Sequence, residues 1–89
     1  MIERIVAVRL PNGLHARPAA QFVQAANRFK SEVTLVKGER MANAKSIMGV
    51  IGLGVAPGET VTLRVDGSDE DEAMEVLVRL LTRVDEETR

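Results

Sequence analysis

The stretch "NGLHARPAA", residues 12–20, holds the only histidine of an 89-residue chain. His15 follows a Pro11-Asn12-Gly13 turn and stands at the mouth of an alanine-rich helix. Up to four backbone N–H groups lack partners at such a mouth, and Pro18 has none to offer. A helix N-terminus receives anions, typically worth about 0.3–1 kcal/mol per exposed charge. It disfavours an imidazolium and favours the neutral, nucleophilic imidazole. Arg17 adds a planar fork that pairs bidentately with phosphate oxygens. It opposes imidazolium further and would help to hold a dianion placed on His15.

Other chemistries fail on what is missing. A hydrolase needs a nucleophile with a base, or paired carboxylates, and the turn offers neither. A stable metal site usually takes three or four ligands, and one histidine with no cysteine falls short. The absence of cysteine also removes disulfides and thiol chemistry. No GxxxxGK[ST] loop is present, and "GVIGLG", residues 49–54, has the wrong glycine spacing for a dinucleotide site. No metal or cofactor is expected. What fits is a neutral imidazole that accepts a phosphoryl group covalently and passes it on. Partner proteins then supply the rest of each transition state.

The bulk numbers agree with a small carrier. The chain is 45% hydrophobic, which suits one folded domain over residues 1–89. Its formal net charge is −1 and it has two aromatic residues, Phe22 and Phe29. Neither feature suits nucleic-acid binding. No apolar run approaches a membrane span, and "MIERIVAVRL" is too short and too charged for a signal peptide. A cytoplasmic protein is expected.

The elements that position His15 follow from periodicity. Val6, Val8 and Leu10 alternate with Ala7 and Arg9, a strand over 2–10. Ala19, Phe22, Val23, Ala26 and Phe29 make one buried face of a helix over 17–29. Val33, Leu35 and Lys37 alternate with Glu32, Thr34 and Val36, a second strand. Gly38-Glu39 then suits a two-residue hairpin turn, with a short strand near 40–43. Ser46 caps a helix of about two turns that ends at Gly52 or Gly54. "TVTLRVD", residues 60–66, is the clearest strand. Ser68, followed by four acids, caps a helix over 69–84 with Ala73, Leu77, Leu80, Leu81 and Val84 as its stripe. The order is β-α-β-β-α-β-α. Strands with one polar face imply an antiparallel four-stranded sheet covered by three helices on one side, a two-layer α+β open-faced sandwich.

"GLHARPAAQFV" resembles the active-site stretch of HPr, the histidine-containing phosphocarrier family of the bacterial phosphotransferase system. "NAKSIMGV", residues 43–50, resembles that family's second signature, and length and element order match across the chain. The resemblance implies that His15 takes a phosphoryl group on Nδ1 from phospho-enzyme I, charged by phosphoenolpyruvate, and hands it to a sugar-specific enzyme IIA. Arg17 matches the arginine that neutralises the phosphoryl, and the amides of Ala16 and Arg17 would cap it. Such a protein is a carrier with a covalent phosphohistidine rather than a stand-alone enzyme.

Ser46 matches the serine that a dedicated kinase/phosphorylase modifies in Gram-positive members. The modified form acts with a catabolite-control transcription regulator. As an N-cap, Ser46 is also explained without any modification. "SIMGV" resembles the regulated branch, whereas "PNGLH" and "RPAAQFV" resemble the enteric one. Ile47, Met48, Val50, Ile51 and Leu53 surround almost the whole short helix, so some must be exposed. An exposed apolar patch marks a contact site. The resemblance makes Ile47, Met48 and Ile51 the partner patch, and flexible Met48 suits several partners. Gln24 and Asn27 stand where relatives often carry basic residues, leaving Arg17, Arg28, Lys45 and Arg40 to steer acidic partners. Two alternatives share the fold. One is the nitrogen-linked phosphocarrier branch. The other is a regulatory binding module acting through Ser46 alone, whose known members lack the histidine. A monomer is expected.

Overall fold

Alternation of β-branched and polar residues sets the sheet. In a computed structural model that describes residues 1–83, the strands are β1 (Ile2–Ala7), β2 (Glu32–Lys37), β3 (Arg40–Asn43) and β4 (Thr60–Asp66). The helices are α1 (Ala16–Ala26), α2 (Ile47–Leu53) and α3 (Glu70–Thr82). The element order is therefore the one periodicity predicts. The four strands form one antiparallel sheet in the order β1-β4-β2-β3.

Register explains which side chains meet the helices. Ile2 pairs with Val65 and Val65 with Val33, while Leu63 pairs with Leu35 and Val61 with Val6. Paired residues share a face, so these rows form the floor of the core. Phe22, Leu77, Leu81 and Met74 close it from above, all fully buried. Each such side chain contributes about 1.5–3 kcal/mol of burial. The opposite face carries the row Ile5–Thr62–Val36–Met41, with Ile5 and Met41 exposed.

Three expected boundaries shift, each for a physical reason. The first strand ends at Ala7, not residue 10, because its hydrogen bonds change partner. Val8 N–H donates to Glu59 O at 2.8 Å and Arg9 N–H to Leu81 O at 2.9 Å. Val8 and Leu10 remain buried, so the alternation survives the ladder. The first helix ends at Ala26 rather than residue 29. Asn27 caps it, its N–H bonding to Val23 O while its side-chain amide donates to Val23 O at 2.9 Å and Lys45 O at 3.2 Å. Phe29 is thus half-buried outside the helix. The N-cap of α3 is Asp69, not Ser68. Val84, expected at the end of its stripe, lies outside the described residues.

Asp69 caps no amide of its own helix. Its carboxylate reaches back to the α1–β2 connection instead. It accepts from Lys30 N–H at 2.8 Å, Ser31 N–H at 3.0 Å and Ser31 Oγ at 2.5 Å. Ser31 is fully buried, and a side chain at Gly67 would collide with its Oγ and Cα. The Ser31 hydroxyl, followed by the Lys30 amide, holds the Asp69 carboxyl below its ordinary value. Asp69 therefore stabilises the fold above its unfolded pKa, and that contribution is lost as pH falls through the lower folded value. The urea midpoint of the wild type is expected to fall below about pH 4, and Asp69→Asn to flatten that slope. An Asp69→Asn curve parallel to the wild type would remove Asp69 from acid sensitivity.

Candidate functional site

Residues 10–13 make the turn that delivers His15. Pro11 and Asn12 occupy its centre, and Gly13 N–H closes it on Leu10 O at 3.0 Å. Gly13 has φ +75°, and a Cβ there would lie 2.3 Å from Val55 O. Only glycine allows this approach. The approach lets Leu14 N–H donate to Val55 O at 3.0 Å while the Leu14 side chain, 1% exposed, sinks into the core. His15 follows at once. It is the N-cap of α1 in extended conformation (φ −142°, ψ 152°) and is exposed.

The His15 side chain makes no capping hydrogen bond, and the first turn of α1 holds no acid. The positive end of the helix is therefore free for an external anion beside the imidazole. Ala16 has φ +52°, the only non-glycine residue with positive φ among those described. An L-residue held there costs about 1–2 kcal/mol. Such strain clusters at functional positions, and here it turns the chain between an exposed histidine and its helix. Arg17 is exposed in the same first turn. His15, Ala16 and Arg17 are all exposed at the start of α1.

Ser46 caps α2, its Oγ accepting from Gly49 N–H at 3.2 Å. Gly54, with φ +63°, ends the helix. Ile47 and Met48 are exposed, Met48 at 76%, whereas Val50 and Leu53 are buried. Ile51 is half-buried against the core, so it contributes less surface than its neighbours. The helices α1 and α2 pack together in opposite directions. Asn27 at the end of α1 bonds Lys45 O beside Ser46, and Leu14 before α1 bonds Val55 O just past α2. Ser46 and His15 therefore stand at opposite ends of the pair.

Two of the four cations expected to steer partners have structural work. Lys45 Nζ donates to Phe29 O at 2.8 Å, and Arg40 donates to Gly52 O at 2.7 Å. Arg17 and Arg28 remain exposed. Two contributors escaped the sequence reading, the anchor Leu14 and the seat at Val55, and Ala16 was expected for its amide but not for its strained backbone. The one signal for them was an apolar residue between a glycine and a histidine. Among the described residues no three acidic or histidine side chains gather to hold a metal, and no helix is long and apolar enough to cross a membrane.

The family model for the PTS HPr component phosphorylation site matches residues 2–83. The HPr-like protein Crh of Halalkalibacterium halodurans is 51% identical over 83 residues, 93% of this chain and 99% of that protein. The crystal structure of the phosphocarrier protein HPr from Bacillus anthracis str. Ames is similar with a TM-score of 0.88. It is 45% identical and covers 90% of this chain and 95% of that one. Selenomethionyl Crh of Bacillus subtilis, described as a dimer with a swapping domain, gives 0.73 at 53% identity over 91% and 93% of the two chains. On motif, fold and relatives alike, the chain belongs to the HPr phosphocarrier family of the phosphotransferase system.

Proposed function

We propose that His15 is the phosphoryl acceptor, taking the group from phospho-enzyme I and delivering it to a sugar-specific enzyme IIA. The observation that carries this is the exposed, uncapped histidine at a helix mouth free of acids. Nδ1 attacks phosphorus, a P–N bond forms, and the bond to the donor on enzyme I breaks. The amides of Ala16 and Arg17 and the Arg17 guanidinium face the three phosphoryl oxygens and offset their charge. Transfer to enzyme IIA reverses these contacts. The chain works as one cytoplasmic domain and as a monomer.

The test is intact-mass spectrometry after incubation with enzyme I, Mg²⁺ and phosphoenolpyruvate at neutral to alkaline pH. One acid-labile phosphate is expected on the wild type and none on His15→Ala. Phosphate on both proteins would overturn the assignment. Light scattering of the same sample is expected to give the mass of a single chain.

Ile47 and Met48 form the apolar part of the docking surface for enzyme I and enzyme IIA, with Ile51 at its margin. Met48→Glu puts a charge into that patch without touching the core. It is expected to raise KM for phospho-enzyme I about tenfold, the effect of about 1.4 kcal/mol, with kcat little changed. An unchanged KM would place docking elsewhere.

A second reading adds regulation through Ser46, favoured by the high identity to Crh. A kinase/phosphorylase would place a phosphate on Oγ, and the modified protein would act with a catabolite-control transcription regulator. At the far end of the α1–α2 pair from His15, that phosphate would act on the partner surface by charge rather than on the imidazole. Incubation with the serine kinase and ATP is expected to add an acid-stable phosphate to the wild type and none to Ser46→Ala.

A further inference from the structure

Lys37 poses a problem that the sheet alone does not solve. Alternation along β2 puts it on the same face as Val33 and Leu35, the face that carries the core. Its ammonium escapes that face only at the end of the strand, where it meets the last turn of α2. There Lys37 Nζ donates to Gly54 O at 2.7 Å and Leu53 O at 3.1 Å, and pairs with Glu59 Oε1 at 3.0 Å. All three ammonium protons are used. Glu59 Oε1 also accepts from Ala56 N–H at 2.8 Å. The Ala56 amide, and then Lys37, hold the Glu59 carboxyl below its ordinary value.

This arrangement fastens both ends of the 54–59 loop, one through Gly54 and the other through Glu59. Val55, buried at 3%, lies between them. Its carbonyl is the one that accepts from Leu14 N–H and that a Cβ at residue 13 would strike. A shift of that carbonyl would move Leu14, and His15 is the next residue. Lys37 touches neither His15 nor any group on it.

We infer that Lys37 is a positioning residue for phosphoryl acceptance, fixing the Val55 carbonyl on which the Leu14–His15 backbone is seated. The inference rests on His15 being the acceptor. A reacting nitrogen displaced by about 1 Å can cost about 10²-fold in rate. The partner-facing side chains of α2, Ile47 and Met48, lie at its other end. Loss of Lys37 should therefore reach kcat before KM.

The experiment compares wild type, Lys37→Met and Lys37→Arg as substrates of phospho-enzyme I, with amide and imidazole NMR spectra of each folded protein. Lys37→Met is expected to lower kcat about tenfold with KM changed less than threefold. It should also shift the Leu14 and Ala56 amides and the His15 ring resonances. Lys37→Arg, which keeps a cation, should restore most of kcat. Should Lys37→Met not fold, Glu59→Gln cuts the ion pair alone and should give the same pattern, weaker. A lower melting temperature with wild-type kcat and unmoved His15 resonances would reduce Lys37 to a structural role and overturn the inference. Wild type that takes no phosphate would instead overturn the acceptor assignment, and this inference with it.

Discussion

Gly13→Ala is expected to disable both the fold and phosphoryl acceptance. Two costs add. The residue sits at φ +75°, where an L-side chain is strained by about 1–2 kcal/mol. The added Cβ would also stand 2.3 Å from Val55 O and 3.1 Å from two backbone atoms of Ala56. None of these is a side-chain tip that can rotate away, so the loop or the turn must move. Overpacking of this kind costs a further 1–3 kcal/mol or so. A total near 3 kcal/mol would lower the melting temperature by roughly 12–24 °C for a domain of this size. Relief requires separating residue 13 from Val55, which breaks the Leu14 N–H bond and displaces His15. Phosphoryl acceptance should fall by at least tenfold in whatever fraction stays folded. Calorimetry and the rate of phosphohistidine formation read the two effects separately. A variant with wild-type melting and rate would mean that the turn does not rest on Val55.

Leu14→Ala is expected to cost about 2–5 kcal/mol, the range for emptying a fully buried leucine site. Leu14 is 1% exposed and belongs to the continuous core with Leu10, Leu53 and Val55. Its backbone is held on one side by Val55 O and followed on the other by the strained Ala16. Strain at Ala16 persists only while its neighbours over-determine it. With Leu14 gone, one of those restraints is lost and φ of Ala16 should relax toward negative values. The measurable results are a lower urea midpoint and a phosphorylation rate that drops even where the variant is fully folded. Leu14→Met keeps most of the volume and should cost under about 1.5 kcal/mol. If Leu14→Ala instead kept the wild-type midpoint, the leucine would not be the anchor of the site.

Both substitutions flank the histidine without altering it, and both act through residue 55, forty positions away. That distance separates what was legible from what was not. Periodicity revealed seven elements in order, because strands with one wet face alternate and amphipathic helices repeat near 3.6. The His15–Arg17 pair stands out as a candidate site because its signals are local: a turn, a helix mouth and a guanidinium two residues on. Ser46 as a cap was legible for the same reason, and the structure gives it the Gly49 amide. That some side chains of α2 must be exposed followed from geometry, since a two-turn helix cannot bury every side. The resemblance singled out Ile47 and Met48, which are exposed, and Ile51, which is half-buried.

Element ends and couplings were decided elsewhere. Ser68 looks like the better cap by propensity, yet Asp69 takes the place because its carboxylate is needed by Lys30 and Ser31 across the fold. Lys45 and Arg40 read as steering charges, but carbonyls at Phe29 and Gly52 claim them. Lys37 reads as a strand residue on the wrong face until α2 presents its last carbonyls. Nothing near Ala16 in the chain announces a positive φ. It stands between the buried anchor Leu14 and the body of α1. The sequence by itself determined the order of the elements, the candidate acceptor and the cap at Ser46, because each depends on neighbours within a turn or two. Only the tertiary structure decided where the histidine is seated and what holds it there, because those bonds close between segments that meet only once the sheet has formed.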